Sequence, residues 1–455
     1  MKIMFIVPDG VGIKNYLYAK IIPLLYDKGY ETALLHRLHR DAIEEIKNHH
    51  KIRFQDFKLL PYKETLVIKF LRESIAYARL IYNTKITGNN TIMTNWSPQK
   101  KGLKHGFYKM TEAYGKWLST DYEKIIKAEK RLSNALKKLS NPYTQLLGDY
   151  KPDVILNLHQ RAYGAILPVI AAQKKGITNS QVIFSWDNLP KARLTVRTDE
   201  YLVWSEYMKN EMQLYYPEIA KNNIYVTGTP QFEYYFDDTL IWPKEKFYGL
   251  YRIPLHKKIL LYSGGDSRTS PFDGDYAYEI ALQLNELPGD QRPVLLIRPV
   301  PSEDGSRYKK AVEDFPETVR LAPADWQRMK HWSESFPHFS DVELLVNTVH
   351  YCEAVINVGS TMALDFATKN KPAIYVDFNI KNSKDWDIKI INSFQHFKSM
   401  NNLDPVFRWQ KKEELPRLIK RILSGEKKPD ALKWLYRINN YPKDASRRIV
   451  DYLTK

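Results

Sequence analysis

The chain has 455 residues, 44% hydrophobic and 27% charged, values typical of folded soluble domains and far from a disordered chain; its length predicts two large domains. A single cysteine excludes an intramolecular disulfide framework and every multi-cysteine metal site. The net charge of +17 is concentrated: residues 51–150 carry 19 Lys/Arg against 8 Asp/Glu and residues 401–455 carry 14 against 7, while 151–400 are nearly balanced. Such basic regions suit acidic substrates, anionic lipid surfaces or nucleic acid, and also the solvated faces of ordinary helices.

In chain order, KIMFIVP reads as a buried strand ending in PDGVG, and an apolar stripe predicts a helix over Tyr16–Lys28 closed by Gly29. The run before Pro8 is too short for a signal peptide, and no window approaches the ~18–20 apolar residues of a membrane span, so the expectation is a cytoplasmic protein. ETALLH starts a second strand. Residues 62–148 have few strand signals; helical periods over Leu66–Tyr82 and Phe107–Leu139, divided by a polar break, predict a basic helical insertion hanging off the first domain. HxxH (His36, His39) and the pair His49-His50 read as surface residues rather than a metal site.

A second strand–helix series follows: Val154–Leu158, a helix over Tyr163–Lys175 closed by Gly176, Val182–Trp186, Tyr201–Trp204, a helix over Ser205–Tyr215, and Ile224–Thr227. These strands are continuously apolar, as parallel strands covered on both faces should be. Residues 236–256 read as a linker, because Pro243, Gly249 and Pro254 interrupt any period. The pattern restarts with KKILLYSGG, a helix over Tyr276–Leu287, PVLLIRP, Val319–Ala322, a helix over Val342–Val349, AVINVGS, a helix over Thr361–Lys369 and AIYVDF. Cys352 falls in an apolar stretch and reads as a core residue. The tail from 410 to 455 reads as two basic helices. The expected architecture is α/β: two Rossmann-like domains facing across a cleft, residues 1–235 and 257–410, with residues 411–455 packing back on the first.

Chemistry concentrates at strand ends. In Asn357-Val358-Gly359-Ser360-Thr361-Met362-Ala363-Leu364-Asp365 an apolar strand runs through Gly-Ser-Thr into a helix, offering free N–H groups and two hydroxyls to a phosphate; Ser360 and Thr361 are also ordinary caps. Asp365, one turn on, suits a ribose hydroxyl or a solvated helix face. Gly264 and Gly265, with Asp266, form a turn that lets a ligand approach the backbone or simply turns tightly. Arg298 at another strand end suits a phosphate fork. There is no GxxxxGK[ST] and no GxGxxG.

The first domain carries Asp9, Gly10, Gly12 and Asn15 after its first strand, His159 after a middle strand, Asp187 and Asn188 after another, and Glu206 after the next. Asp9, His159 and Asp187 are candidate general bases; Gly10, Gly12, Asn15, Asn188 and Glu206 are candidate acceptor contacts. Each also has a reading as a cap or turn residue.

The strand–GST–helix–Asp segment followed by KPAIYVDF resembles the donor-binding signature of two-domain GT-B glycosyltransferases, especially the bacterial branch with CDP-glycerol glycerophosphotransferases and related surface-polysaccharide enzymes. VTGTPQFEYY is similar to the Gly-x-Pro segment that ends the first domain of many GT-B enzymes and of UDP-sugar 2-epimerases. The resemblance implies that Gly359, Ser360 and Thr361 hold a donor diphosphate, that Asp365 faces the ribose, and that Gly264 and Gly265 lie near the phosphates. It implies a UDP- or CDP-linked nucleotide sugar as donor, a cell-surface glycan or lipid-linked acceptor, no metal and no cofactor. Arg298-Pro299 stands where a His-Pro pair would suggest a cytidine donor, and no Glu closely follows Asp365 as in many retaining enzymes. The expected activity is glycosyl transfer in the cytoplasm, with peripheral contact to anionic membrane through the insertion. A UDP-sugar 2-epimerase and a nucleic-acid-binding protein are the rivals, with no nucleic-acid partner expected on the main reading.

Overall fold

In β1 (Lys2–Val7) the last five residues are buried, and a strand hidden on both faces needs a neighbour on each edge. The computed structural model describes residues 1–98, 101–331 and 334–455; Gln99 and Lys100 of the expected polar break lie outside the described residues. The chain forms two units. The first is 1–229 with 394–396 and 438–455, and the second is 230–393 with 397–437.

In the first unit, β1, β2 (Glu31–His36), β3 (Gln55–Lys58), β4 (Val154–Asn157), β5 (Thr178–Val182), β6 (Glu200–Val203) and β7 (Ile224–Val226) make one parallel sheet in the order β3-β2-β1-β4-β5-β6-β7. The order reverses direction between β1 and β4, where Ile3 pairs with Val154 and Ile6 with Asn157. The expected helix over 16–28 is split into a turn at Ile13–Leu17 and a helix at Ile21–Asp27. Pro23 explains the break: it has no N–H to give Ala19 and is tolerated only in a first helical turn.

The strand expected at 182–186 lies earlier, at Thr178–Val182. Its polar face hides it from hydropathy: Asn179, Ser180 and Gln181 are buried, with Asn179 bonded to Asp199 and Gln181 Nε2 donating to the Val196 carbonyl at 3.0 Å. Ile183–Asn188 is thereby freed as the loop beyond the strand. His36, expected on the surface, is fully buried at the end of β2; its Nδ1 accepts the N–H of Leu38, and burial, reinforced by Lys58, lowers its pKa to about 4.

The helical insertion belongs to the first unit. The expected helix over 107–139 is two helices, Leu103–Leu118 and Tyr122–Leu136, because Asp121 caps the second by accepting the Glu123 N–H at 3.0 Å. Ile75 and Ala78 of the helix Leu66–Thr87 join Leu118, Ile125 and Leu132 in one apolar cluster with Ile166 and Ile170 of the helix Ile166–Lys175, which covers the sheet. Buried Arg79 adds a polar tie, donating to Glu129 at 2.6 Å and to Glu218 at 3.2 Å, and Arg197 binds both carboxylates at 2.7 Å.

In the second unit β8 (Ile259–Ser263), β9 (Val294–Arg298), β10 (Val319–Leu321), β13 (Ala354–Asn357), β14 (Ala373–Val376) and β15 (Phe407–Trp409) form a parallel sheet ordered β10-β9-β8-β13-β14-β15. β11 (Trp326–Gln327) and β12 (Phe336–Pro337) pair separately. The expected linker is folded onto this unit: Phe247, in the helix Lys244–Leu250, is fully buried and stacks on Tyr351 at 5.1 Å. The tail has three helices rather than two, Leu415–Leu423, Ala431–Ile438 and Ala445–Leu453, because Asn439–Asp444 interrupts the last stretch. Only the end of the tail, from Ile438, belongs to the first unit. Cys352 is buried. Among the described residues no helix is long and apolar enough to cross a membrane.

Candidate active site

Where the strand order of an open parallel sheet reverses, the loops at the carboxyl ends of the two central strands diverge and leave a crevice. In the first unit those loops are Pro8–Gly12, after β1, and Leu158–Ala162, after β4. Asp9 Oδ1 accepts the Val11 N–H at 3.2 Å, which fixes the carboxylate in the turn. Its Oδ2 lies 2.7 Å from His159 Nδ1. The His159 N–H donates to Asn157 Oδ1 at 3.2 Å, and its ring packs on Phe184 at 4.9 Å. A carboxylate oxygen can only accept, so Nδ1 is the donor of this pair and Nε2 is the ring nitrogen that Asp9 leaves unengaged. Both side chains are mostly but not fully buried, 18% and 14% exposed for His159 and Asp9.

Gly10 accepts the Ile13 N–H through its carbonyl, and Asn15 is buried in the turn that follows. Gly12 has φ of −72°, and an added Cβ would make only ordinary contact with Leu158, so the backbone does not demand glycine there. Gln160, absent from the sequence expectations, links the loops: Oε1 accepts the Phe184 N–H and Nε2 donates to Asn188 Oδ1, both at 2.9 Å. Asn188 in turn donates to Asp187 Oδ1 at 2.7 Å, and Lys191 donates to Asp187 Oδ2.

Burial works to raise the Asp187 pKa, but Lys191 and His396 together hold it well below the usual carboxylate range. A carboxylate so neutralised is a poor proton acceptor. His396, edge-on to Trp186 at 4.7 Å, is pushed down to about 4 by burial. Glu206 is exposed at the head of the helix Glu206–Tyr215; its N–H donates to Asn440 at 2.8 Å.

In the second unit the order reverses between β8 and β13, which brings the Gly264 and Gly359 turns to adjacent strand ends. Gly359 has φ of +69°, and an added Cβ would lie 3.0 Å from Phe397, so only glycine fits. The Ser360 N–H donates to Asn357 Oδ1 at 2.7 Å and the Ser360 hydroxyl accepts from Met362 at 3.3 Å, while Thr361 is exposed. Asp365 accepts a hydrogen bond from the buried Tyr235 phenol.

Three donor-site expectations meet a different geometry. The Gly264 N–H donates to the Arg298 carbonyl at 3.0 Å and the Gly265 N–H to Asp273 Oδ2 at 2.5 Å, so neither amide faces a ligand. Glycine at 264 is required because an added Cβ would lie 2.1 Å from the Tyr308 hydroxyl. Asp266 closes its own turn, accepting the N–H groups of Arg268 and Thr269. Arg298 is buried, 2.6 Å from Asp341 Oδ1, and Asp341 also accepts from the Asp325 N–H and the Trp326 indole. Asp341 thus holds one arm of the guanidinium, while its buried Nη1 has no hydrogen-bond partner among the described residues.

Beside the His159–Asp9 pair the first unit has a pocket of about 530 Å³, lined by His159, Arg161, Tyr163 and Arg193 and, from the insertion, Glu73, Trp96 and Tyr108. Arg161 was legible as the residue two beyond His159 and Tyr108 as one of the aromatic residues of the basic insertion; Trp96 and Arg193 carry no local signal. Among the described residues no group of three His, Cys, Asp or Glu is placed to hold a metal ion.

No protein-family model matches the sequence, and no curated protein matches it. Solved structures share its fold across the whole chain. They include a UDP-GlcNAc 2-epimerase from Neisseria meningitidis bound to UDP-GlcNAc (12% identity, TM-score 0.51, 100% of each chain covered). A UDP-GlcNAc 2-epimerase from Methanocaldococcus jannaschii is also similar (12%, 0.55, 100% of this chain and 99% of that one). So is a glycosyltransferase from Rickettsia africae (13%, 0.51, 99% and 94%). At these identities the likeness establishes the fold: two parallel-sheet α/β domains of the kind that these proteins have.

Proposed function

We propose that the chain is a nucleotide-sugar-dependent glycosyltransferase. The first unit deprotonates an acceptor hydroxyl, and the second unit holds the nucleotide near Gly359–Thr361. One observation carries this reading: the His159–Asp9 pair borders a pocket whose other wall is the helical insertion. An isomerase needs no second substrate; a transferase does. In the reaction the acceptor hydroxyl gives its proton to His159 Nε2 and its oxygen bonds the anomeric carbon of the donor sugar. The bond from that carbon to the phosphate oxygen breaks, and its electron pair leaves with the nucleoside diphosphate.

The shared fold supports an isomerase as the second reading, since two of the three structures described above are UDP-GlcNAc 2-epimerases. The deciding experiment is incubation of the protein with UDP-GlcNAc in deuterated water, with and without a mixture of glycan acceptors. UDP release only with acceptor supports transfer. Deuterium entering the sugar at C2 without acceptor supports epimerisation and overturns the transferase.

The proposed acceptor is a cell-surface glycan or a lipid-linked precursor of one, met at the cytoplasmic membrane face. The insertion supports this placement: Leu66 and Val67 are each 76% exposed and Trp117 is 50% exposed, in the region with most of the excess Lys and Arg. Sedimentation with anionic but not with neutral vesicles, reversed by high salt, is the expected result; equal recovery with both counts against it.

A further inference from the structure

The pocket beside His159 contains a charge that its surroundings leave unanswered. Arg161 is largely shielded from water, and burial is the main cause lowering its pKa, with Asp187 opposing through space. Among the described residues its guanidinium makes no hydrogen bond and no ion pair. Five donors in a rigid fork, facing a pocket and without a protein acceptor, suit an anion that enters it.

The second cation, Arg193, is only partly engaged. It donates to the Tyr163 hydroxyl and stands 3.8 Å from Glu73, a carboxylate already bonded by Arg72. Across the pocket Trp96 is held in place from behind: its Nε1–H donates to Glu112 at 2.8 Å and its ring lies 4.8 Å from Tyr77. Tyr108 stands edge-on to it at 6.0 Å. A fixed indole and a guanidinium fork lining one pocket provide an apolar face and an anion site together, the two surfaces that an acidic sugar presents.

We propose that this pocket is the acceptor subsite and that the acceptor sugar carries an anionic group, a phosphate ester or a carboxylate, bound by the Arg161 guanidinium with Arg193 as the second cation. This rests on the transferase reading and adds the chemical class of its acceptor.

The test is calorimetric titration of the full chain with glucose, glucose 6-phosphate and glucuronate, and separately with UDP. At least one charged sugar is expected to bind about tenfold or more tightly than glucose, the usual span of a charge-assisted hydrogen bond. Preference for glucose 6-phosphate marks a phosphate ester, and preference for glucuronate a carboxylate. Arg161→Gln should abolish the preference and leave UDP binding unchanged. Should that variant fail to fold, Arg161→Lys, which keeps the charge but not the fork, should reduce it. Equal affinity for neutral and charged sugars, binding of neither charged sugar at millimolar concentration, or an undiminished preference in the folded variant overturns the inference. Failure of the parent reading looks different: charged-sugar selectivity that depends on Arg161 persists, but no glycosyl transfer occurs.

Discussion

Asp9 Oδ2 and His159 Nδ1 lie 2.7 Å apart although 150 positions separate them in the chain. The contact exists because β1 and β4 are neighbours at the reversal of the first sheet, so the loops beyond them leave from adjacent strand ends. If Asp9 fixes the His159 tautomer, the two residues act as one catalytic unit.

His159→Gln should therefore lower turnover by about 10²–10⁴, the usual share of a general base. Asp9→Asn should lower it by a smaller factor, because an amide can offer Nδ1 a donor and favour the wrong tautomer. The double variant should be little worse than His159→Gln alone. UDP affinity should stay unchanged in all three. Steady-state kinetics with parallel UDP titration checks this. A purely structural pair would show a lower melting temperature in Asp9→Asn with kcat/KM intact.

Arg298 separates the sequence reading from the structural one. As a phosphate ligand, its loss would weaken nucleotide binding in a protein of normal stability. As the buried partner of Asp341, its loss strands a carboxylate, and Arg298→Met should cost about 3–5 kcal/mol of stability. Combining it with Asp341→Leu should recover much of that, because no buried charge is left alone. Urea unfolding of the two single variants and the double variant measures the recovery; a double-variant loss equal to the sum of the two single losses would show that the ion pair is not coupled.

Gly228, in the VTGTP segment, is constrained by its own unit rather than by a ligand. Its φ is +78°, and an added Cβ would lie 2.8 Å from Asn439 Oδ1 and 2.9 Å from the Tyr441 carbonyl. Gly228→Ala should cost about 2–4 kcal/mol, from left-handed strain together with displacement of the tail backbone. Denaturant unfolding checks the value, and a loss below about 1 kcal/mol would mean that the tail moves aside freely.

The same contrast explains what the sequence could reveal. β1, β4, β8 and β13 were legible because strands covered on both faces must be continuously apolar, and their glycine-rich ends followed. β5 was not, because its buried Asn179, Ser180 and Gln181 are polar and bond to residues distant in the chain. Asp9 and His159 were legible as strand-end residues one by one, but their pairing depends on strand order. Trp96 sits in a polar break, and only the packing of the insertion brings it to the pocket that Arg161 also lines. Asp341, the ion-pair partner of Arg298, lies 43 residues further on in a helix.

Glu211 gives the clearest pH dependence. It is buried in the helix Glu206–Tyr215, neither carboxylate oxygen has a hydrogen-bond partner, and burial, reinforced by Asp187, pushes its pKa up from 4.5 to about 8. The folded state keeps this proton and the unfolded state releases it near pH 4.5, so stability is full below that value and declines as pH rises to 8. A shift of this size corresponds to about 5 kcal/mol at most. The buried histidines oppose it lower down: His36, His49 and His396, each lowered to about 4 by burial, favour folding above pH 6.5 and lose that contribution as pH falls to 4. The Glu211 slope should therefore stand alone between pH 6.5 and 8. Glu211→Gln, a neutral replacement of the same shape, should flatten the unfolding midpoint across that window and make the protein more stable than the parent at pH 8. Identical slopes for the two proteins would mean that Glu211 is ionised in the fold and has found a cation to meet it.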